Sequence, residues 1–134
     1  MADVDGSRRF DVSSDRLWAV VTDPARLPDW VPTMRAAASS GRSEVHLEGE
    51  SHGHPYSLTG TLDADEQDRR LDWGAPADEG YHGSLRVLSQ PPGSEVQIHL
   101  AVPDNHLAGD PDAVAEIRRG IEEALDRLAG LVAG

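Results

Sequence analysis

The chain has no cysteine, which excludes a disulfide framework, a thiolate nucleophile and any cysteine metal site. It has no lysine either, since all 12 basic residues are arginine. That removes Schiff-base catalysis, pyridoxal phosphate anchoring and the lysine of a Walker-type phosphate loop. Positive charge as a whole is scarce: 24 acidic residues face those 12, for a formal charge of -12. A surface this negative repels phosphate backbones and anionic lipid, so neither nucleic acid nor a membrane is an expected partner. Long apolar runs are missing too, and nothing approaches the ~18 residues of a membrane span. Residues 1–9 carry charge and no hydrophobic stretch; no export leader is read there, and the cytoplasm is the expected compartment. What remains is ordinary for a globular chain, with 38% hydrophobic and 27% charged residues in 134. That length suits a single domain over residues 1–134 that buries its core without staples.

The pattern of apolar residues changes twice along the chain. Residues 1–5 read as a frayed, flexible leader, and residues 7–12 as a short strand with Phe10 and Val12 on one face. Ser13 and Ser14 offer an N-cap to a helical stretch in which Leu17, Val20 and Val21 recur at helical spacing. Asp23-Pro24 stops and restarts it, and a second short helical piece ends near Pro28 or Pro32. From residue 34 to 102 the period becomes two. Val45 and Leu47, then Tyr56, Leu58 and Leu62, then Leu71 and Trp73, then Tyr81, Leu85 and Val87, then Val96, Ile98 and Leu100 alternate with polar neighbours. One apolar face on short, closely connected strands predicts an antiparallel meander of about six strands, wet on its other side. After Asp110-Pro111 the helical period returns: Val114, Ile117, Ile121, Ala124, Leu125, Leu128 and Val132 form a stripe. Glu116, Arg119, Glu123, Asp126 and Arg127 occupy the opposite face. The only apolar surface long enough to receive that stripe is the sheet's own. The fold class is therefore α+β, a curved antiparallel sheet wrapped around a long C-terminal helix, with two short helices after the first strand. A twisted sheet diverges from a straight rod, so a hollow is expected near one end of their interface.

The stretch from Val12 to Pro32, VSSDRLWAVVTDPARLPDWVP, resembles the opening of the START-like, polyketide cyclase/Bet v 1-type (SRPBCC) superfamily. The shared features are a strand, a small polar cap, a Trp-containing helix, an Asp-Pro step and a Leu-Pro-x-Trp segment. RRLDWGAP at Arg69–Pro76 and the closing IEEALDRLAGLV fit the same plan. The resemblance implies a helix-grip fold around a cavity for lipids, polyketides or other small apolar molecules, and an enzyme in a few members. The glycine-rich loop of the plant Bet v 1-type members is not found. The arginine-plus-tyrosine pocket of aromatase-type cyclases does not map onto this chain residue by residue.

Strand phase and the helix stripe nominate the walls of the hollow. Leu47, Tyr56, Leu58, Trp73, Tyr81, Leu85, Val87, Ile98 and Leu100 share the inward phase of the sheet. Trp30 and Met34 join them from the helical elbow, and Ile117, Ile121 and Leu125 from the long helix. For the aliphatic members a filled core is the alternative. Trp30, Trp73, Tyr56 and Tyr81 carry N–H and O–H groups that need partners, which a wet cavity or a ligand supplies. Binding of a small hydrophobic molecule, lipid- or polyketide-like, is the expected function. Cyclisation or dehydration by acid–base chemistry is the alternative, with Tyr56, Tyr81 and His54 as candidate groups and Asp72, which faces outward, as the weakest. His52-Gly53-His54 reads as a solvated hairpin tip even with His46 and Glu50 nearby, so no metal is expected. No cofactor is called for, and self-association is left open.

Overall fold

The computed structural model describes residues 2–32, 34–41, 44–51, 54–74, 81–103 and 111–133, apart from the side chains of residues 40, 41, 51, 54, 56 and 58. Strong alternation turns most of the chain into strands: β1 (Ala2–Phe10), β2 (Met34–Gly41), β3 (Glu44–Ser51), β4 (His54–Asp65), β5 (Arg70–Gly74), β6 (His82–Gln90) and β7 (Gly93–Val102). They form one seven-stranded antiparallel sheet in the order β1-β7-β6-β5-β4-β3-β2. Strands β2 to β7 are the predicted meander, and β1 adds itself beyond β7.

Two strands differ from the sequence reading. β1 starts at Ala2 rather than Ser7 and pairs with β7 from Phe10↔Ser94 back to Ala2↔Val102. The supposed leader is therefore strand from residue 2 onward. Val4 is fully buried, while Asp3 and Asp5 alternate outward. Met34, assigned to the elbow, opens β2 instead. Alternation does not announce that strand, because Ala36, Ala37, Ala38 and Ser39 offer no contrast between faces.

Three helices follow their caps. In α1 (Ser14–Val21) the Ser13 hydroxyl accepts the Arg16 N–H at 3.2 Å, and Leu17, Trp18, Val20 and Val21 are buried. Asp23 accepts the Ala25 N–H at 3.0 Å to start a 3₁₀ turn, Pro24–Arg26, that runs into α2 (Leu27–Trp30). The long helix α3 spans Ala113–Val132. It begins after Pro111 and Asp112, which lie in the preceding turn. Its stripe buries Ile121, Ala124, Leu125, Leu128 and Val132. On the solvent side Arg127 donates to Glu123 at 2.9 Å, and Asp126 receives the guanidinium of Arg8. No helix among the described residues is long and apolar enough to cross a membrane.

The helices cover the sheet unevenly. α3 lies along β1, α1 lies against β6 and β7, and α2 bridges from α3 to β2. At Gly6 the approach is so close that a Cβ would collide with the branched carbons of Ile121. A side chain at position 6 would lift α3 off the strand.

If α3 is seated this way, Leu125→Ala should cost about 2–5 kcal/mol in urea denaturation. Arg119→Ala, on the exposed face, should cost less than about 0.5 kcal/mol. Equal costs would contradict the assigned orientation.

Candidate functional site

The inward face is mostly apolar, and its covering changes from one level of the sheet to the next. Strand pairing sets Gly6, Ile98, Leu85 and Leu71 in one row across β1, β7, β6 and β5. Leu85 has no exposed surface, and Leu71 and Ile98 are at 1% and 6%. Ile121 and Leu125 of α3, buried to 4% and 3%, close over its Gly6 end, and α1 lies against β6 and β7. With these side chains buried, this end belongs to the packed core.

The neighbouring row runs Val4, Leu100, Gly83, Trp73, Leu62 across β1, β7, β6, β5 and β4. Here Leu100, Trp73 and Leu62 are only half-buried despite the same inward phase. Val114 and Ile117 of α3 are half-buried too. The two sets stand at one level. β1 and α3 run alongside each other, with Gly6 under Ile121, Arg8 paired to Asp126, and Phe10 to Val12 beside Ala129 and Val132. Stepping back from Gly6 to Val4 covers about 6.6 Å of strand, and from Ile121 to Ile117 about 6 Å of helix. Ile117 therefore stands level with the Val4 row. Leu47 on β3 and Ala37 and Met34 on β2 extend the half-buried apolar surface.

The physical cause is the placement of the helices. Among the described residues their main approaches fall on β1, β2, β6 and β7, and on β3 to β5 Leu47, Leu62 and Trp73 are left half-buried although Val45 and Leu71 beside them are buried. The result is an apolar trough with the first turns of α3 on one side, β2 on the other and α2 joining the two. Trp73 lies on the floor. Its indole crosses Gly83, where a Cβ would run into the ring. Trp30 belongs to α2 and is 4% exposed. Its Nε1 is the buried side-chain polar atom that lacks a hydrogen-bond partner among the described residues. Tyr81, just ahead of β6, is half-buried.

The sequence-predicted wall thus divides. Leu85, Val87, Ile98, Ile121 and Leu125 belong to the filled end, and Leu47, Trp73, Leu100, Met34 and Ile117 to the trough. Tyr56 pairs with Gly49 and Leu58 with Leu47 along the backbone. Their side chains, that of His54, and His52 and Gly53 lie outside the described residues. Leu62, Ala37 and Val114 also line the apolar surface, and strand phase and the helix stripe already carried the signal for Leu62 and Val114.

The opposite face of the sheet is polar. Asp72 faces outward there, accepts the Arg70 guanidinium at 3.0 Å and stands 3.4 Å from His82. The Ser57 hydroxyl meets His46 Nε2 at 3.2 Å. His99 Nδ1 is 2.6 Å from Asp5, and its Nε2 is 3.3 Å from Asp3. The hydrogen bond to Asp5 raises the His99 pKa above its ordinary 6.5, more than partial burial lowers it. A concavity of about 360 Å³ lies on this face between Asp5, Ser7, Ser84, Arg86, Gln97 and His99. A second, of about 330 Å³, lies at the far end of α3 beside Phe10 and Val132. Neither lies between the trough strands and α3.

Two expectations follow from these contacts. Gly83→Ala must push the Trp73 indole aside and should cost about 1–3 kcal/mol. Gly120→Ala on α3, where a Cβ meets nothing within 4 Å, should instead stabilise by up to about 1 kcal/mol; denaturation curves of both decide it. The His99 imidazole should titrate above 6.5 by NMR and fall back toward it in Asp5→Asn. Because the folded-state value is raised, the stability from this pair is fully present below pH 6.5 and is lost as pH climbs through the folded-state value.

Comparison with known proteins agrees with this geometry. No curated protein matches the chain. Among solved structures, a protein from Thermus thermophilus is 16% identical, with a TM-score of 0.78 over 98% of this chain and 97% of that one. A START superfamily protein from Mycobacterium smegmatis is 15% identical, also at 0.78 over 98% and 97%. The Zhui aromatase/cyclase from a Streptomyces species is 18% identical, at 0.75 over 98% and 93%. These likenesses establish the helix-grip fold. Residues 1–133 match the family described as polyketide cyclase / dehydrase and lipid transport. With a seven-stranded sheet gripping one long helix and an apolar trough at one level of their interface, the chain belongs to that family.

Proposed function

We propose that this protein binds a small hydrophobic molecule in the trough between β3–β5 and the first turns of α3. One observation carries the reading. Leu62, Trp73 and Leu100 are inward-facing apolar residues that the fold leaves half-covered, one row away from neighbours that are completely buried. Half-covered apolar surface is costly in water, at roughly 25 cal/mol per Å². A guest that fills the trough recovers that free energy. The family's description, which couples polyketide cyclases with lipid transport, supports a guest of this kind.

A second reading is turnover of such a guest. It is supported by the family description and by the likeness to an aromatase/cyclase. Tyr81 is the described phenol best placed to serve as its acid or base, since it is half-buried at the start of β6, the strand that carries Gly83.

The test is thermal denaturation against a panel of fused-ring aromatics and fatty esters. A ligand present at about 100 times its Kd should add about 2.7 kcal/mol of stability. Ile117→Trp should remove that gain while leaving the unliganded protein folded, because residue 117 is half-buried. If no member of the panel stabilises the protein, the trough is not a binding site. Turnover that disappears in Tyr81→Phe while binding persists would favour the enzyme.

A further inference from the structure

The short helix α2 carries a buried polar group with no hydrogen-bond partner among the described residues. Trp30 is 4% exposed, and its Nε1–H has no acceptor among the described residues. A buried donor without a partner is rare in native proteins and costs more than a hydrogen bond gains. Trp30 lies on α2, the short helix that joins α3 to β2 across the trough. We infer that the guest supplies the missing acceptor, so that Trp30 selects neutral, oxygen-bearing apolar molecules over pure hydrocarbons. This rests on the trough being a binding site, and it adds what the guest must carry.

The rest of the protein's charge argues for a neutral acceptor rather than a carboxylate. Arg8, Arg35, Arg69, Arg70 and Arg127 are all engaged with carboxylates. The formal charge of -12 disfavours any anion. A single neutral N–H suits a ketone, ester or ether oxygen, which needs one donor and no counter-ion. α2 is only four residues long, and its N-cap residue Arg26 makes no side-chain capping bond. An element with so few internal hydrogen bonds can yield by the small distance that lets an acceptor reach the indole.

The experiment compares three naphthalenes of similar shape: 2-acetylnaphthalene, 2-ethylnaphthalene and 2-naphthoate. Affinities are measured by calorimetry on the wild type and on Trp30→Phe, which keeps an aromatic ring and removes the donor. On the wild type the ketone should bind roughly two- to tenfold tighter than the hydrocarbon, the value of one hydrogen bond. The naphthoate should bind more weakly than the ketone. In Trp30→Phe the preference for the ketone should disappear, and the unliganded protein should lose little or no stability. The carbonyl stretch of bound 2-acetylnaphthalene should shift to lower wavenumber on the wild type, which tests the bond even if the variant fails to fold. Equal binding of ketone and hydrocarbon, an unshifted carbonyl, or a preference that survives in Trp30→Phe would overturn the inference and leave the binding site standing. If none of the three binds, the trough reading falls and this inference falls with it.

Discussion

The seat of α3 on β1 governs the rest of the structure. Gly6 has no side chain, so Ile121 rests on the strand's backbone, and Leu125, Leu128 and Val132 follow it down onto the sheet. A rod held this tightly at the β1 edge cannot also reach the middle strands, because the sheet's twist carries them away from its axis. The filled row of Leu71, Leu85 and Ile98 is completed by α1, which lies against β6 and β7, while Leu62, Trp73 and Leu100 stay half-covered. Core and trough differ by one step of two residues along each strand.

A second tie holds the filled end shut. In the turn between β4 and β5, Arg69 adopts φ of 51°, a left-handed conformation that arginine seldom takes and that costs about 1 kcal/mol or more. Its contacts explain why it stays there. The Arg69 carbonyl accepts the Val87 N–H at 2.9 Å, and its guanidinium reaches Asp15 and lies 5.7 Å over the Trp18 ring. The turn is thereby fastened to α1 on the same side as Leu71, which is 1% exposed. The other ends of β4 and β5, toward Thr61 and Gly74, are paired only to each other and to their neighbouring strands among the described contacts. The floor of the trough is thus anchored at one end.

Much of this was readable from the residues, and the failures have physical causes. Strands β3 to β7 announce themselves because Val, Leu and Ile alternate with charged or hydroxyl neighbours. β2 does not, since alanine and serine are nearly equivalent to a hydropathy pattern. The start of β1 is hidden because Val4 stands between two aspartates, which read as a charged tail until β7 supplies a partner. The α3 stripe is legible over its whole length, whereas its start is not: Asp110-Pro111 reads as the start, but the helix begins at Ala113, after Asp112, which makes no side-chain capping bond. The inward phase that nominates the site is legible too. What phase cannot distinguish is Leu85 from Leu62 or Ile121 from Ile117. Each pair shares a face, and only the placement of the helices, α3 on β1 at Gly6 and α1 against β6 and β7, decides which member is covered.

Charge and the trough fit one economy of placement. The described arginines that form ion pairs do so at the surface or on the helix's outer face, as Arg70 with Asp72 and Arg127 with Glu123 do. His99 stands between Asp3 and Asp5 on the polar face. Exposed pairs of this kind contribute little to stability, roughly 0–1 kcal/mol each. Their larger effect is to neutralise part of an acidic surface, leaving a net negative field around an apolar opening. Such a field leaves the chemical potential of a neutral guest nearly unchanged and raises that of an anion. With no lysine and a formal charge of -12, the surface as a whole disfavours an approaching anion.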